Sequence, residues 1–204
     1  MDLKKHWEMV YSTKTPQEVS WTQETPSTSL RLITEMNLSK NISIIDIGGG
    51  DSKLVDFLLE EGYTDLTVLD ISENAISRAK SRLGDKSNQV TWIIADINNF
   101  TPQKKYGIWH DRAVFHFITD NSEIQRYVDL VSNYTSELFI VGTFSKDGPL
   151  KCSGLAIKQY NEKELSQKFG GSFQLISSLN EDHKTPFNTL QNFTFASFKK
   201  IILT

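Results

Sequence analysis

The chain has little of several features that mark particular protein classes. Its 204 residues include one cysteine, Cys152, which excludes an internal disulfide and a thiolate metal cluster. Apolar runs of the ~20 residues needed to cross a bilayer are missing, which argues against a membrane protein. Lys and Arg total 22 against 25 acidic residues, a net charge of -3, and the lack of a basic surplus argues against a nucleic-acid substrate. The first residues lack the apolar segment of a secretory signal, so we expect a cytoplasmic location.

Beyond residue 36, short apolar segments typical of strands alternate with segments of helical periodicity. This alternation is typical of βαβ units, which build a parallel sheet with helices on both faces. The predicted strands are Ile42–Ile47, Leu66–Leu69, Val90–Ile94, Tyr106–Trp109 and Leu138–Val141. Two more strand-like segments, Phe173–Leu179 and Gln191–Phe198, are separated only by a polar loop, which predicts an antiparallel hairpin.

The N-terminal segment differs from this alternating pattern. We predict a helix over 3–12, a proline-interrupted loop, and a second helix that opens at Pro26. Three large aromatic residues, Trp7, Tyr11 and Trp21, stand in otherwise polar surroundings. We interpret residues 1–36 as a helical, aromatic arm that caps a ligand site formed by residues 37–204.

Four predicted strands end in polar residues, where an open parallel sheet binds its ligands. Asp46 and a glycine loop end the first strand, Asp70 the second, Asp96 the third, and His110-Asp111 the fourth. A carboxylate such as Asp70 can accept both hydroxyls of a ribose, although it can also cap the helix at Ser72. Asp96 can accept from an adenine amino group or simply stabilise a turn.

The glycine loop distinguishes two kinds of nucleotide cofactor. Gly48 and Gly50 permit a backbone with positive φ on which a ligand can lie. The dinucleotide fingerprint requires a small third residue, but the matching position holds Lys53, and Asp46 would repel a pyrophosphate. A protein of the NAD- or nucleotide-binding Rossmann type remains the alternative interpretation.

The four segments DIGGG, VLDIS, IIADI and WHDRAVFHF, in this order within residues 40–145, resemble a class I S-adenosylmethionine-dependent methyltransferase. The resemblance implies a Rossmann-like, doubly wound α/β fold. Its mostly parallel seven-stranded sheet has the order 3-2-1-4-5-7-6, with strand 7 antiparallel.

The resemblance also implies a set of cofactor contacts for S-adenosylmethionine. The glycine loop would hold its methionine part, the acid after strand two its ribose, and the acid after strand three its adenine. The candidate cofactor-binding residues are Trp7, Tyr11, Trp21, Asp46, Gly48, Gly50, Asp70, Ile71, Asp96, Ile97 and Asp111.

Methyl transfer is an in-line displacement that needs alignment and exclusion of water, and a base only when the nucleophile arrives protonated. His110, Asp111 and His116 are the candidate catalytic residues, with core packing as the alternative for His116. Arg112 is a candidate for binding a substrate carboxylate or else faces solvent. His183 lies in the predicted loop between the last two strands and either reaches the substrate or sits at a hairpin tip.

The acceptor is constrained by what stands at the end of the fourth strand. The N/D-P-P-Y/F motif of amino-directed nucleic-acid and glutamine methyltransferases is replaced by His110-Asp111-Arg112-Ala113. We therefore expect transfer to a small molecule or a protein side chain, without a metal. A methyltransferase-like protein that binds without catalysis is a further alternative, because this chemistry has no obligatory catalytic residue.

Overall fold

A computed structural model describes residues 2–202, so residue 1 of the predicted arm lies outside the described residues. Seven strands form the main sheet. They are β1 (Ser43–Ile47), β2 (Asp65–Asp70), β3 (Val90–Ile94), β4 (Tyr106–Arg112), β5 (Thr135–Phe144), β8 (Phe173–Lys184) and β9 (Leu190–Lys200). A separate two-stranded hairpin, β6 (Lys151–Cys152) with β7 (Leu155–Ala156), had no counterpart in the sequence prediction.

The order of the main sheet is β3-β2-β1-β4-β5-β9-β8. Since β8 and β9 are its sixth and seventh strands, this is the predicted order 3-2-1-4-5-7-6. The pairs among the first five strands are parallel, and β9 runs antiparallel to both β5 and β8. The predicted fold is confirmed. It also places the switch point, where ligands bind in such sheets, between β1 and β4.

Six α-helices accompany the sheet: α1 (Leu3–Thr13), α2 (Ser27–Thr34), α3 (Leu54–Glu60), α4 (Glu73–Leu83), α5 (Asn121–Tyr134) and α6 (Glu162–Phe169). Two apolar clusters lie on opposite faces of the sheet. One contains α5 and α6 residues packed on Trp109 and Phe139, and the other contains α2 and α3 residues packed on Ile108 and Leu138. Within the described residues no helix is long and apolar enough to cross a membrane.

Strand β4 shows how side-chain alternation divides the two faces. Ile108 belongs to the cluster with α2 and α3, whereas its neighbour Trp109 belongs to the cluster with α5 and α6. Because successive side chains of a strand point to opposite faces, His110 and Arg112 share the face of Ile108, and Asp111 shares that of Trp109. This alternation determines which polar residues of β4 can reach a ligand.

Two predicted boundaries need correction. Strand β4 continues through Arg112, so His110 and Asp111 lie within the strand and not beyond its end. The final hairpin is longer than predicted and leaves only residues 185–189 as its loop, so His183 lies on β8 and is buried. Cross-strand pairs extend as far as Lys184 with Leu190, which keeps this end of the hairpin extended.

Candidate cofactor and acceptor site

A cavity of about 860 Å³ opens at the carboxyl ends of the parallel strands, within the range of ~300–1,000 Å³ for small-molecule sites. Its walls come from the ends of β1 to β4, one side of α4 from Asn74 to Arg82, and the arm. The predicted site residues that line it are Trp7, Tyr11, Trp21, Asp46, Gly48, Asp70, Ile71, Asp96, Ile97, His110 and Arg112. Most of the predicted cofactor set is therefore brought together in one place.

The glycine loop lies too close to its neighbours for any side chain. Gly48 has φ +68°, and a Cβ there would stand 2.1 Å from Cγ2 of Val114. A Cβ on Gly50 would stand 2.4 Å from Oδ2 of Asp70, so only a glycine at position 50 leaves room for the Asp70 carboxylate. Gly50 itself does not line the cavity. The backbone at Gly48 and Gly49 faces the cavity and is free to lie against a ligand.

Asp70 ends β2 and is 5% exposed. Its Oδ1 accepts from the backbone N of Ser72 at 2.8 Å, so the helix-cap and ligand interpretations are compatible. Burial, together with the nearby carboxylates of Asp46 and Glu8, raises the pKa of Asp70 to about 7, although backbone hydrogen bonds oppose the rise. A buried carboxyl group facing a cavity suits a ligand that brings hydroxyl donors.

Asp96 stands at the far end of the same wall. It caps a short 3₁₀ turn, Ile97–Asn99, by accepting from the backbone N of Asn98 at 2.9 Å. Asp96 and Ile71 also line a second cavity of about 470 Å³. Asp96 therefore stabilises a turn, as the alternative interpretation expected, and it also lines the larger cavity.

His110 is held between two polar partners. Its Nδ1 lies 2.7 Å from Oδ1 of Asp46 and its Nε2 lies 2.8 Å from Oγ of Ser29, and all three residues are buried and line the cavity. Because a carboxylate only accepts hydrogen bonds, Nδ1 carries the proton, and in the neutral ring Nε2 is an acceptor for the Ser29 hydroxyl. This arrangement orients Nε2 for taking a proton.

Asp111 lies on the other face of β4 and does not line the cavity. Its carboxylate accepts from the backbone N of Val114 and Phe115, and from the hydroxyl of Tyr127. Burial raises its pKa to about 6 despite these donors. The structure gives Asp111 a role in holding the turn after β4 and does not bring it to the predicted cofactor or catalytic position.

His116 also lies away from the cavity. It sits in a short 3₁₀ turn, with its ring between Phe117 and Phe144, and Nδ1 accepts from the backbone N of Phe144 at 3.1 Å. Burial lowers its pKa to about 3, with the charge of Arg112 adding to the effect. This is the core packing given above as the alternative.

His183 connects the last hairpin to the arm. Its Nε2 lies 2.7 Å from the carbonyl oxygen of Ser20, and it is not among the cavity-lining residues. Burial lowers its pKa, and the charge of Arg112 lowers it further. The structure thus places His183 in contact with the arm and not at the predicted substrate position.

Besides the contacts of Ser20 with His183 and of Ser29 with His110, the arm is held by its residues Glu8 and Trp21. Near its start, Glu8 accepts from the hydroxyl of Ser72 and the backbone N of Glu73 and Asn74, at the N-terminus of α4. Near its end, Nη1 of Arg112 donates to the carbonyl oxygen of Trp21 at 3.0 Å. Between these points Trp7 packs against Tyr11, Trp21 and Phe117.

Three cavity or arm residues were missed by the sequence analysis. Ser29 carries a weak signal, because it lies four residues before the buried Ile33 on the apolar side of α2. Cys152 lines the cavity from the unpredicted β6–β7 hairpin. Glu8 has no local signal, since its partners lie more than 60 residues further along the chain.

The chain has the fold of class I methyltransferases, and the resemblance drawn from the sequence is confirmed by the comparisons that follow. Residues 44–135 match the model of a family described as a methyltransferase domain. Solved structures with the same fold include an S-adenosylmethionine-dependent methyltransferase from Anabaena variabilis, with a TM-score of 0.76 at 13% identity, covering 98% of this chain and 96% of that one. Another is 1,6-didemethyltoxoflavin-N1-methyltransferase from Burkholderia thailandensis, with a TM-score of 0.72 at 14% identity, covering 98% and 88%.

The chain is also similar to curated methyltransferases. It is 27% identical over 143 residues to malonyl-[acyl-carrier protein] O-methyltransferase 2 of Ilyobacter polytropus, which covers 70% of this chain and 54% of that protein. It is 35% identical over 79 residues to the malonyl-[acyl-carrier protein] O-methyltransferase of Anoxybacillus flavithermus, which covers 38% and 29%. The chain thus spans about half the length, or less, of the curated relatives that it matches.

Proposed function

We propose that the protein is an S-adenosylmethionine-dependent methyltransferase with a small-molecule or protein side-chain acceptor. One observation carries the proposal. Three strand-end acids, Asp46, Asp70 and Asp96, line the same cavity as Gly48 and Gly49. The named activities of the relatives and the methyltransferase-domain match support it.

The residues present fit this cofactor. A ligand lying on Gly48 needs the open backbone that the loop provides, since any Cβ would collide with Val114. Asp70 would accept the ribose hydroxyls, Asp96 the adenine amino group, and the glycine loop would support the methionine part. When bound, S-adenosylmethionine supplies a methyl group on a cationic sulfonium. The aromatic side chains of Trp7, Tyr11 and Trp21 would shield that cation from water and attract it.

His110 is the residue of this chain best placed to remove a proton from an acceptor. Asp46 orients the ring through its contact with Nδ1, as the carboxylate of a catalytic triad does. Ser29 occupies Nε2 in the structure, so an acceptor must replace this hydroxyl or pass its proton through it. Asp111 and His116 are left out of this proposal, because neither lines the cavity.

Calorimetry with S-adenosylhomocysteine and NAD tests the proposal. We expect S-adenosylhomocysteine to bind at micromolar affinity, because the acids suit hydroxyl and amino donors and repel a pyrophosphate. Tighter binding of NAD would support the alternative Rossmann interpretation instead. If S-adenosylhomocysteine binds but no acceptor in a labelled-methyl panel is methylated, the chain is better described as a non-catalytic binding protein.

A further inference from the structure

Within the described chain the guanidinium of Arg112 has no carboxylate in direct contact, although the charges of Glu181 and Asp46 act on it from a distance. None of the ion pairs found among residues 2–202 includes it. Nη1 is engaged by the Trp21 carbonyl, whereas Nε and Nη2 are buried and have no hydrogen-bond partner. A buried N–H without a partner is unfavourable, so this arrangement favours an acceptor that binds there.

The two unsatisfied nitrogens form one edge of the guanidinium. Nε and Nη2 point their N–H bonds in the same direction, which is the side-on fork that binds both oxygens of a carboxylate. Burial lowers the pKa of Arg112 to about 10, so the group stays charged at neutral pH. The free edge is thus a complete two-point donor for a planar anion.

The nearby side chains do not supply that anion. Asp46 is engaged with His110, and Glu181 accepts from the hydroxyl of Thr28. Burial raises the pKa of the Cys152 thiol to about 11, even though the charge of Arg112 opposes this, so Cys152 is not a thiolate counterion. Neither carboxylate contacts Nε or Nη2, so an anion bound directly to these two nitrogens would come from a ligand.

The position of Arg112 points to the acceptor and away from the cofactor acids. Its guanidinium carbon lies 4.9 Å from the ring centre of Phe193 on β9, on the side of β4 opposite β1 and β2. Asp70 and Asp96 lie on the other side of the switch point, at the ends of β2 and beyond β3. His110 stands between them, on the same face of β4 as Arg112.

We propose that the free Nε and Nη2 edge of Arg112 binds a carboxylate of the methyl acceptor. The acceptor is then a carboxylic acid, small enough to enter the cavity or presented at its mouth. This inference rests on the proposed function, because it takes the ligand at the β4–β9 side to be the acceptor. A carboxylate could also come from the amino-acid end of the cofactor, so the experiment must separate the two sources.

The first measurement compares malonate with malonamide, its neutral analogue, by thermal unfolding with S-adenosylhomocysteine present. Malonate should raise the melting temperature of the wild type, and malonamide should not. In Arg112→Met, which keeps the length of the side chain, malonate affinity should fall at least tenfold. Arg112→Lys should lose less, because it keeps the charge but not the two-point geometry. Arg31→Met, which removes an exposed arginine paired with Glu35, is the matched control and should retain the malonate effect.

The stability of Arg112→Met without ligand separates binding from a structural role. Removing an uncompensated buried charge should leave the melting temperature unchanged or higher. A lower melting temperature, together with equal responses of the wild type to malonate and malonamide, would mean that Arg112 only holds Trp21 and would overturn the proposal.

The second measurement separates the two sources of carboxylate. Affinities for S-adenosylhomocysteine and for 5′-methylthioadenosine, which lacks the amino-acid end, should be unchanged in Arg112→Met. A loss confined to S-adenosylhomocysteine would assign Arg112 to the cofactor and overturn the proposal. If the wild type binds malonate through Arg112 but does not bind S-adenosylhomocysteine, the proposed function fails while the carboxylate site stands.

Discussion

The two halves of the cavity are held in different ways. On the β2–β3 side, the carboxylates of Asp70 and Asp96 each accept from a backbone N only two residues further along the chain. On the β4 side, His110 reaches Ser29 and Asp46 across 81 and 64 residues, and Arg112 reaches Trp21 across 91. In the proposed cofactor half these two carboxylates are thus held by local turns, whereas the proposed acceptor half depends on the arm and α2 being in place. Substitutions in the two halves should therefore have separable effects.

The largest effect on stability is expected from Asp111, which resembles Asp70 in sequence position but faces the core. Asp111→Ala leaves the backbone N of Val114 and Phe115 and the hydroxyl of Tyr127 without an acceptor. We expect the free energy of unfolding to fall by roughly 3 kcal/mol or more, measured in urea. Asp111→Asn, which keeps one acceptor oxygen, should lose less. If the Asp111→Ala protein is stable but binds S-adenosylhomocysteine more weakly, Asp111 contacts the cofactor, as the sequence analysis predicted.

Asp70→Ala should give the opposite pattern. If Asp70 accepts two ribose hydroxyls, its loss should weaken S-adenosylhomocysteine binding by about 1.5–3 kcal/mol, or roughly 10- to 150-fold by calorimetry. Asp65→Ala is the matched control, because Asp65 begins the same strand and pairs with Lys104 at the surface. Equal affinities in the wild type and in Asp70→Ala would reduce Asp70 to its role as a cap for Ser72.

A smaller effect is expected from pH. The pKa of Asp70 is about 7 in the folded protein against 3.8 ordinarily, so the free folded state holds a proton that the unfolded chain has lost. This contribution to stability is present at low pH and is lost as the pH rises to about 7. Ribose hydroxyls bind the ionised carboxylate better, so S-adenosylhomocysteine affinity should rise about tenfold from pH 6 to pH 8. In Asp70→Asn the affinity should be nearly independent of pH across this range, and an equal rise there would assign the titration to another group.

The smallest effect concerns the arm. Glu8→Gln replaces the charged acceptor at the N-terminus of α4 and should loosen the arm by ~1 kcal/mol. Trypsin should then cut after Lys14 several times faster, and S-adenosylhomocysteine should slow the cut. Glu35→Gln, which changes a surface pair with Arg31 elsewhere in the arm, is the control and should be cut at the wild-type rate. Equal rates with and without ligand would mean that the arm does not act as a lid.

The sequence allowed the cofactor half to be predicted better than the acceptor half. Asp70 and Asp96 could be placed because a strand end and a following turn are both local patterns. The faces of His110, Asp111 and Arg112 could not, because they depend on β4 continuing three residues beyond the apolar run, which ends at Trp109. Pairing of Arg112 with Gly142 on β5 keeps the strand extended, and nothing near residue 112 in the sequence indicates that partner.

The alternation along β4 also constrains how this chain can vary among its homologues. A deletion or insertion of one residue between Ile108 and Arg112 would turn His110 and Arg112 toward α5 and bring Asp111 into the cavity. A substitution in this segment changes the contacts of one side chain. A change in its length would instead move every following side chain of β4 to the opposite face of the sheet. Alignments of homologues should therefore show gaps within residues 101–105, before the strand, and an ungapped block from Ile108 to Arg112.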